Sequence, residues 1–157
     1  MHISNMKYKL FFIISISFFF ASSCDKEEEP DPSEGWGNCY DCTATSWVGN
    51  YSGSCDYYDV GLNEYTHDLP ATINIEETAP DYLNVFINVP NYYSATISGQ
   101  LQSPYLLSIA SSTASFSASM YVKEKDYRLS GNSKKFVMVS DSVVITESIT
   151  FEILKSE

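Results

Sequence analysis

The stretch YLNVFINVP, at residues 82–90, has an apolar side chain at every second position. Leu83, Val85 and Ile87 fall on one side of an extended chain, and asparagines fall on the other. Because successive side chains of a β-strand point to opposite faces, this period of two indicates a strand with one buried face. The stretch lacks the spacing of an amphipathic helix. It therefore predicts an antiparallel strand that contributes every second side chain to a core.

The same alternation recurs along most of the chain from residue 43 onward, between clusters of Pro, Gly, Asn and Ser that are typical of turns. We predict strands near residues 47–55, 71–76, 82–89, 93–101, 105–110, 114–122, 135–140, 142–146 and 149–154. Short connections favour a single all-β domain, an antiparallel up-and-down meander of about eight strands. Such a sheet must close into a barrel or fold into a sandwich to hide its apolar face, and we expect the barrel.

The first 23 residues have the layout of a secretory signal peptide. Lys7 and Lys9 precede an uncharged, mostly apolar segment at residues 10–21, and small residues follow it. Because a helix needs about 18–20 apolar residues to span a bilayer, this segment is too short to remain as an anchor.

The sequence ASSC, at residues 21–24, resembles the lipobox of bacterial lipoproteins, with Ala21 where that family usually has Leu or Val. The resemblance implies cleavage before Cys24 and acylation of its thiol and of the new amino terminus. Several acyl chains together hold a protein stably at a membrane. The alternative is a freely secreted protein in which Cys24 forms a disulfide.

The sequence DKEEE, at residues 25–29, resembles the surface-export signal of lipoproteins in the Bacteroidota group. The resemblance implies a lipid-anchored protein exposed on the surface of an outer membrane. The acidic block and the prolines after it also predict a disordered tether over residues 24–37. The remaining residues, 38–157, then form the β domain.

Two further stretches, WVGNYSGSC at residues 47–55 and ITFEILK at residues 149–155, bracket the meander. This arrangement resembles the lipocalin-like (calycin-type) domains of bacterial surface lipoproteins, with Trp47 and Gly49 in the reverse of the usual order. The resemblance implies a barrel whose interior can hold a small apolar ligand. Whether the interior is hollow or filled depends on strand number and side-chain volume.

The chain carries 9 basic and 20 acidic residues, a net charge of −11. Removing residues 1–23 takes away two lysines and leaves seven basic residues against twenty acidic ones, a net charge of −13. Since a surface this acidic repels nucleic acid and anionic lipid, we expect neither as a partner. His67 and Arg128 are then the only histidine and the only arginine, which excludes a mechanism that needs two histidines in one chain.

Three cysteines remain after Cys24 is assigned to lipid: Cys39, Cys42 and Cys55. An oxidising cell envelope favours a disulfide, and we expect Cys55 to pair with Cys42 or Cys39, which leaves one thiol unpaired. A second interpretation is a zinc site formed by the three cysteines and His67. One C-x-x-C motif does not define such a site, so we expect no metal and no cofactor.

Oxygen-rich side chains at residues 56–64 admit two further hypotheses, a calcium loop and a carboxylate-dependent hydrolase. The calcium loop would use Asp56, Asp59, Asn63 and Glu64, but the EF-hand spacing is absent. The hydrolase would need two of the carboxylates to face each other across a cleft. We expect solvated loop residues and no enzyme.

Tyrosines are the remaining candidates for binding, because exposed aromatic rings stack on sugars and contact partner proteins. The candidates are Tyr57, Tyr58, Tyr65, Tyr92 and Tyr93. The alternative is that these tyrosines simply form strands and are half-buried at sheet faces. We therefore predict a non-catalytic binding or accessory domain for a small apolar or carbohydrate ligand, and the alternative is a protein-partner or structural subunit of a cell-surface complex.

Overall fold

The computed structural model describes residues 35–156, so the predicted signal peptide, Cys24 and most of the predicted tether lie outside the described residues. The described chain is nearly all β-structure, with one short helix. The strands are β1 (Gly37–Asn38), β2 (Gly49–Asp59), β3 (Glu64–Ala79), β4 (Tyr82–Val89), β5 (Tyr93–Gln100), β6 (Leu106–Ala110), β7 (Ala114–Lys123), β8 (Asp126–Val139) and β9 (Ser142–Lys155), and the helix is α1 (Ala44–Trp47).

All nine strands belong to one antiparallel sheet, which confirms the all-β, antiparallel part of the predicted fold. β2 pairs with β3, β3 with β4 and β4 with β5. In the same way, β6 pairs with β7, β7 with β8 and β8 with β9. The last strand, β9, then pairs with β2. β1 and β6 share one edge of β7, where β1 pairs with residues 121–122 and β6 with residues 115–119.

No ladder joins β5 to β6 in the part of the chain that the structure describes, so the sheet is not closed. The Gln102 side chain lies at the edge of β6, where its amide donates to the carbonyl of Ser108 and its oxygen accepts from the Ser108 N–H. β5 nevertheless packs against β6. Gly99 on β5 lies so close to the Ile109 side chain on β6 that a Cβ at position 99 would collide with it.

Because neighbouring strands run antiparallel, the connections between them lie at two opposite ends of the sheet. We call one the termini end, which holds β1, α1 and the last residues of β9. We call the other the distal end, where the turns at residues 60–63, 90–92, 111–113 and 140–141 lie. Gly37 pairs with Val122 at the far end of β7, so the chain enters the domain at the termini end.

Side chains fill the space that the sheet encloses. The inward positions of the strands carry the alternating apolar residues, and the largest fully buried side chains include Trp47, Tyr51 and Phe116. Trp47 covers the termini end, where its Nε1 donates to the Pro104 carbonyl at 2.9 Å and its own carbonyl accepts from the Tyr51 hydroxyl at 2.9 Å. The interior is therefore filled with side chains. The sequence alone did not distinguish a filled interior from a hollow one.

Several predicted strand limits are wrong because polar residues take part in the sheet. β8 begins at Asp126 although only residues 135–140 were expected, since Arg128 and Ser133 are buried there beside few apolar residues. β3 begins at Glu64, ahead of the predicted 71–76, and the two predicted strands at 142–146 and 149–154 form one strand, β9. The helix α1 was not expected.

The close approach of β7 to β8 at Gly131 can be tested by substitution. A Cβ at Gly131 would collide with the Ser117 carbonyl oxygen and press on Ala118, both on β7. Because backbone rather than a flexible side chain stands in the way, we expect Gly131→Ala to lower the free energy of unfolding by about 1–3 kcal/mol. Gly37→Ala is the matched control, since nothing lies within 4 Å of a Cβ there. Thermal unfolding checks both, and an unchanged midpoint for Gly131→Ala would contradict the close approach.

Candidate functional site

Exposed apolar and aromatic side chains concentrate at the distal end. Of the fourteen large hydrophobic side chains that are exposed within residues 35–156, ten lie there. These ten are Val60, Leu62, Tyr65, Tyr92, Val137, Met138, Val139, Val143, Val144 and Ile145. Since exposed apolar side chains gathered in one region often mark an interaction site, the distal end is the candidate site.

Four tyrosines contribute a tyrosine cluster, which comprises Tyr57, Tyr58, Tyr65 and Tyr92. Tyr58 and Tyr65 are cross-strand partners on β2 and β3, with ring centroids 4.2 Å apart and planes within 19°. On the other face of this hairpin, Tyr57 meets Tyr92 edge to face at 5.4 Å. Each pair holds its two rings in a fixed arrangement.

The predicted tyrosines divide into exposed and structural ones. Tyr65 is 65% exposed and Tyr92 is 42% exposed, whereas Tyr58 is half-buried. Tyr57 and Tyr93 are buried, so the prediction that they form a binding surface is wrong. Tyr93 is part of the packing instead: its hydroxyl lies 2.8 Å from Ser133 Oγ, and burial raises its pKa to about 12.

The larger part of the site is the end of the β8–β9 hairpin, residues 136–145, which we call the apolar ribbon. Val137 pairs with Val144 and Met138 with Val143, so both faces of the ribbon are apolar. Their side chains are between 43% and 61% exposed. The only charged residue in the ribbon is Asp141, at the turn.

Local geometry fixes the ribbon. Its turn residues, Ser140 and Asp141, have positive φ angles of 47° and 65°, as a type I′ turn requires. At the base, Lys135 Nζ lies 3.0 Å from Glu147 Oε2 and 4.7 Å from the centre of the Tyr93 ring. The ion pair thus joins the two strands at the base of the ribbon, and the cation–π contact joins that base to β5.

Sequence reasoning predicted two strands here but missed the exposed surface. The signal was present in FVMV and SVVI, at residues 136–139 and 142–145, where apolar residues follow one another without polar alternation. A strand with one solvated face alternates, so a continuous run indicates either burial on both faces or an unusual exposure. Only the structure distinguishes these two cases.

The structure pairs Cys39 with Cys42 and leaves Cys55 free. The expected link from Cys55 to Cys42 or Cys39 is therefore wrong. Cys39 hydrogen-bonds to β7 through the Met120 carbonyl, whereas Cys55 is on β2, and β8 and β9 lie between these strands. Burial, together with the neighbouring Asp56 carboxylate, raises the pKa of the Cys55 thiol to about 11.

The zinc hypothesis finds no support in the geometry. Its ligands are dispersed, because Cys39 and Cys42 are bonded to each other, Cys55 is buried and His67 is on the surface. No three His, Cys, Asp or Glu side chains within residues 35–156 are placed together to hold a metal ion.

The oxygen-rich residues stabilise the β2–β3 hairpin. Asp59 accepts from the Leu62 N–H at 2.9 Å, and Asn63 accepts from the Tyr58 hydroxyl at 2.9 Å. Asp56 lies 3.2 Å from His67 Nδ1 on the strand beside it. Glu64 is exposed opposite Asp59. The side chains proposed for calcium or hydrolysis are therefore engaged in the hairpin or exposed at its end.

The outer face of β2, β3 and β4 carries a shallow depression of about 430 Å³. Phe86 lines it together with the amides of Asn50, Asn74 and Asn88, and Asn74 Nδ2 donates to Asn50 Oδ1 at 2.8 Å. This depression lies outside the filled interior, where the lipocalin resemblance would put a ligand.

The comparisons with known proteins return no relationship: no protein family, curated protein or solved structure matches this chain. Among residues 35–156, no helix has the length and apolar character needed to cross a membrane. The geometry of the distal end is therefore the basis for inferring function.

The cysteine pairing predicts how many thiols are free and how readily they react. In the chain with Cys24→Ser, we expect Cys55 to be unreactive with a disulfide reagent at about pH 8, because it is 3% exposed and its raised pKa keeps it protonated. In denaturant, one thiol should react. Cys55→Ala should abolish that signal, whereas Cys39→Ala should add a second thiol by freeing Cys42. If Cys55→Ala gave two thiols, Cys55 would be in a disulfide with Cys39 or Cys42, and the pairing would be wrong.

Proposed function

We propose that this protein is a lipid-anchored lipoprotein of the outer-membrane surface, and that its β domain is a non-catalytic binding module for a protein partner. The observation that carries the proposal is the position of the exposed apolar surface. It lies at the distal end, and the chain enters the domain at the termini end. A tether from Cys24 would then hold the termini end near the membrane and leave the distal end facing outward.

The chemistry of the distal end favours a protein over other partners. It combines aromatic rings with exposed Val, Ile and Met side chains, which are typical of protein interfaces. The acidic chain, with its net charge of −11, opposes nucleic acid and anionic lipid. The filled interior argues against a small apolar ligand as the principal partner.

The proposal includes the finer description of the fold, a lipocalin-like barrel whose ladder is interrupted between β5 and β6. Two observations support it. The pairing of β9 with β2 brings the last strand of the meander beside its first long strand. The contact between Gly99 and Ile109 brings the two unpaired edges together.

The anchor is tested by replacing the acylated cysteine. We expect Cys24→Ser in the full chain to abolish incorporation of a labelled fatty acid and to release the protein from the membrane fraction, because the thiol that carries the lipid is lost. Cys55→Ser is the control and should retain both label and membrane association. A Cys24→Ser chain that stayed labelled in the membrane would refute the anchor.

The outward-facing distal end is tested by photo-crosslinking on intact cells. Tyr65 and Tyr40 are matched sites, since they are 65% and 67% exposed and lie at the distal and termini ends. We expect a photoreactive amino acid at position 65 to give a discrete protein adduct, and the same group at position 40 to give none, because only the distal end contacts the partner. Equal adducts at both positions, or an adduct at position 40 alone, would contradict the proposal.

A further inference from the structure

The apolar ribbon has two unpaired strand edges. The β7–β8 ladder ends where Ala114 pairs with Lys135, and the β2–β9 ladder ends where Asp59 pairs with Glu147. Beyond these points, residues 137–139 and 142–144 pair only with each other in the described chain. An unpaired strand edge presents N–H and C=O groups that can hydrogen-bond to a further strand.

The side chains of the ribbon would offer apolar neighbours to both faces of a strand that is added along its edge. Met138 and Val143 point to one face and Val137 and Val144 to the other, so a third strand would gain apolar neighbours on both. Edges that are exposed without a partner are commonly protected by lysine, proline or inward-pointing charge. The ribbon has none of these along its strands, because Asp141 is confined to the turn.

The two edges have different surroundings. Next to the β8 edge lies the β6–β7 turn, whose Thr113 carbonyl accepts from the Phe136 N–H and whose residues are Ser, Ser and Thr. Next to the β9 edge lies the β2–β3 turn, where the Val60 N–H donates to the Thr146 carbonyl. Val60 and Leu62 in that turn are 38% and 68% exposed. The β9 edge therefore adjoins further exposed apolar surface.

A second copy of the chain is a poorer occupant than another polypeptide. Strands related by a two-fold axis at their edges run antiparallel, so the termini ends of two upright copies would point in opposite directions. Tethers anchored in one membrane favour copies whose termini ends face the same way. Two acidic chains, each with a net charge of −11, also repel each other, whereas a neutral or basic partner is not repelled.

We infer that the ribbon binds an extended apolar segment of a partner polypeptide, which adds as a strand along the β9 edge at residues 142–145. This inference rests on the proposed function and specifies its partner. Backbone hydrogen bonds would supply affinity, and the partner's alternate side chains would pack on Val143 on one face and on Val144 on the other.

The test uses the chain from residue 24 with Cys24→Ser, which needs no detergent. The probe is a short capped peptide of alternating valine and threonine with a lysine at each end. We expect it to bind and to slow amide hydrogen exchange at residues 142–145. The same peptide with alternate N-methyl groups on one edge keeps its side chains but lacks donors, and it should bind at least about tenfold more weakly.

Two matched pairs of variants locate the edge. Val143 and Met138 are cross-strand partners with 61% and 59% exposure, and Val144 and Val137 are partners with 43% and 47%. Val143→Lys and Val144→Lys should each weaken peptide binding about tenfold, because the lysine would stand beside the added strand. Met138→Lys and Val137→Lys lie one strand further away and should weaken it less than about threefold.

Each contrary result has a distinct meaning. Equal binding of the N-methylated peptide, or no binding of either peptide, would overturn strand addition, and a retained distal crosslink at position 65 would leave the proposed function standing. A larger loss for the β8 variants would overturn the choice of edge. Dimerisation that Val143→Lys abolishes would identify a second copy as the occupant, and ribbon-dependent binding to phosphatidylcholine vesicles would identify lipid; either would overturn the inference.

Discussion

The pairing of β9 with β2 is the constraint on which the rest of the molecule depends. Nine consecutive residue pairs, from Tyr51 with Lys155 to Asp59 with Glu147, join the last strand to the first long one. This ladder brings Phe151 and Ile153 into the same core as Tyr51, which are residues from opposite ends of the described chain. It also sets the β2–β3 and β8–β9 hairpins side by side, so that the tyrosine cluster and the apolar ribbon share one end.

The sequence predicts those features that arise from local alternation and misses those that depend on distant contacts. The runs around Leu83 and Phe116 alternate clearly, and their strands lie where they were expected. β8 was underestimated because Arg128 is covered from outside, by Trp36 at 4.7 Å and Tyr121 at 5.1 Å, and because Ser133 is satisfied by the Ser115 carbonyl. Such partners come from other strands, and no local pattern identifies them. The cysteine pairing failed for the same reason, since spacing along the chain does not reveal which strand each cysteine faces.

The candidate site was only half accessible to sequence reasoning. Tyrosines at residues 57, 58 and 65 were recognised as a group, but period two alone does not say which face of a hairpin is solvated beyond the end of the core. The ribbon shows the limit most clearly. Its residues have the composition of a buried strand. They are exposed because the β7–β8 ladder does not extend to residue 137 and the β2–β9 ladder does not extend to residue 144.

Comparison of the strand edges gives the strongest reason to regard the ribbon as functional. The outer edge of β7 is covered by β1 and β6, and the edge of β6 is occupied at Ser108 by the Gln102 side chain. The sheet thus protects exposed backbone with short strands and with a side-chain amide where they are available. The ribbon has no such protection: β-branched side chains and unpaired backbone coincide there, although a lysine or proline would have cost little stability on a solvated hairpin. An edge that is apolar on both faces promotes aggregation unless something covers it, so its presence at the ribbon is most simply explained by a partner that binds there.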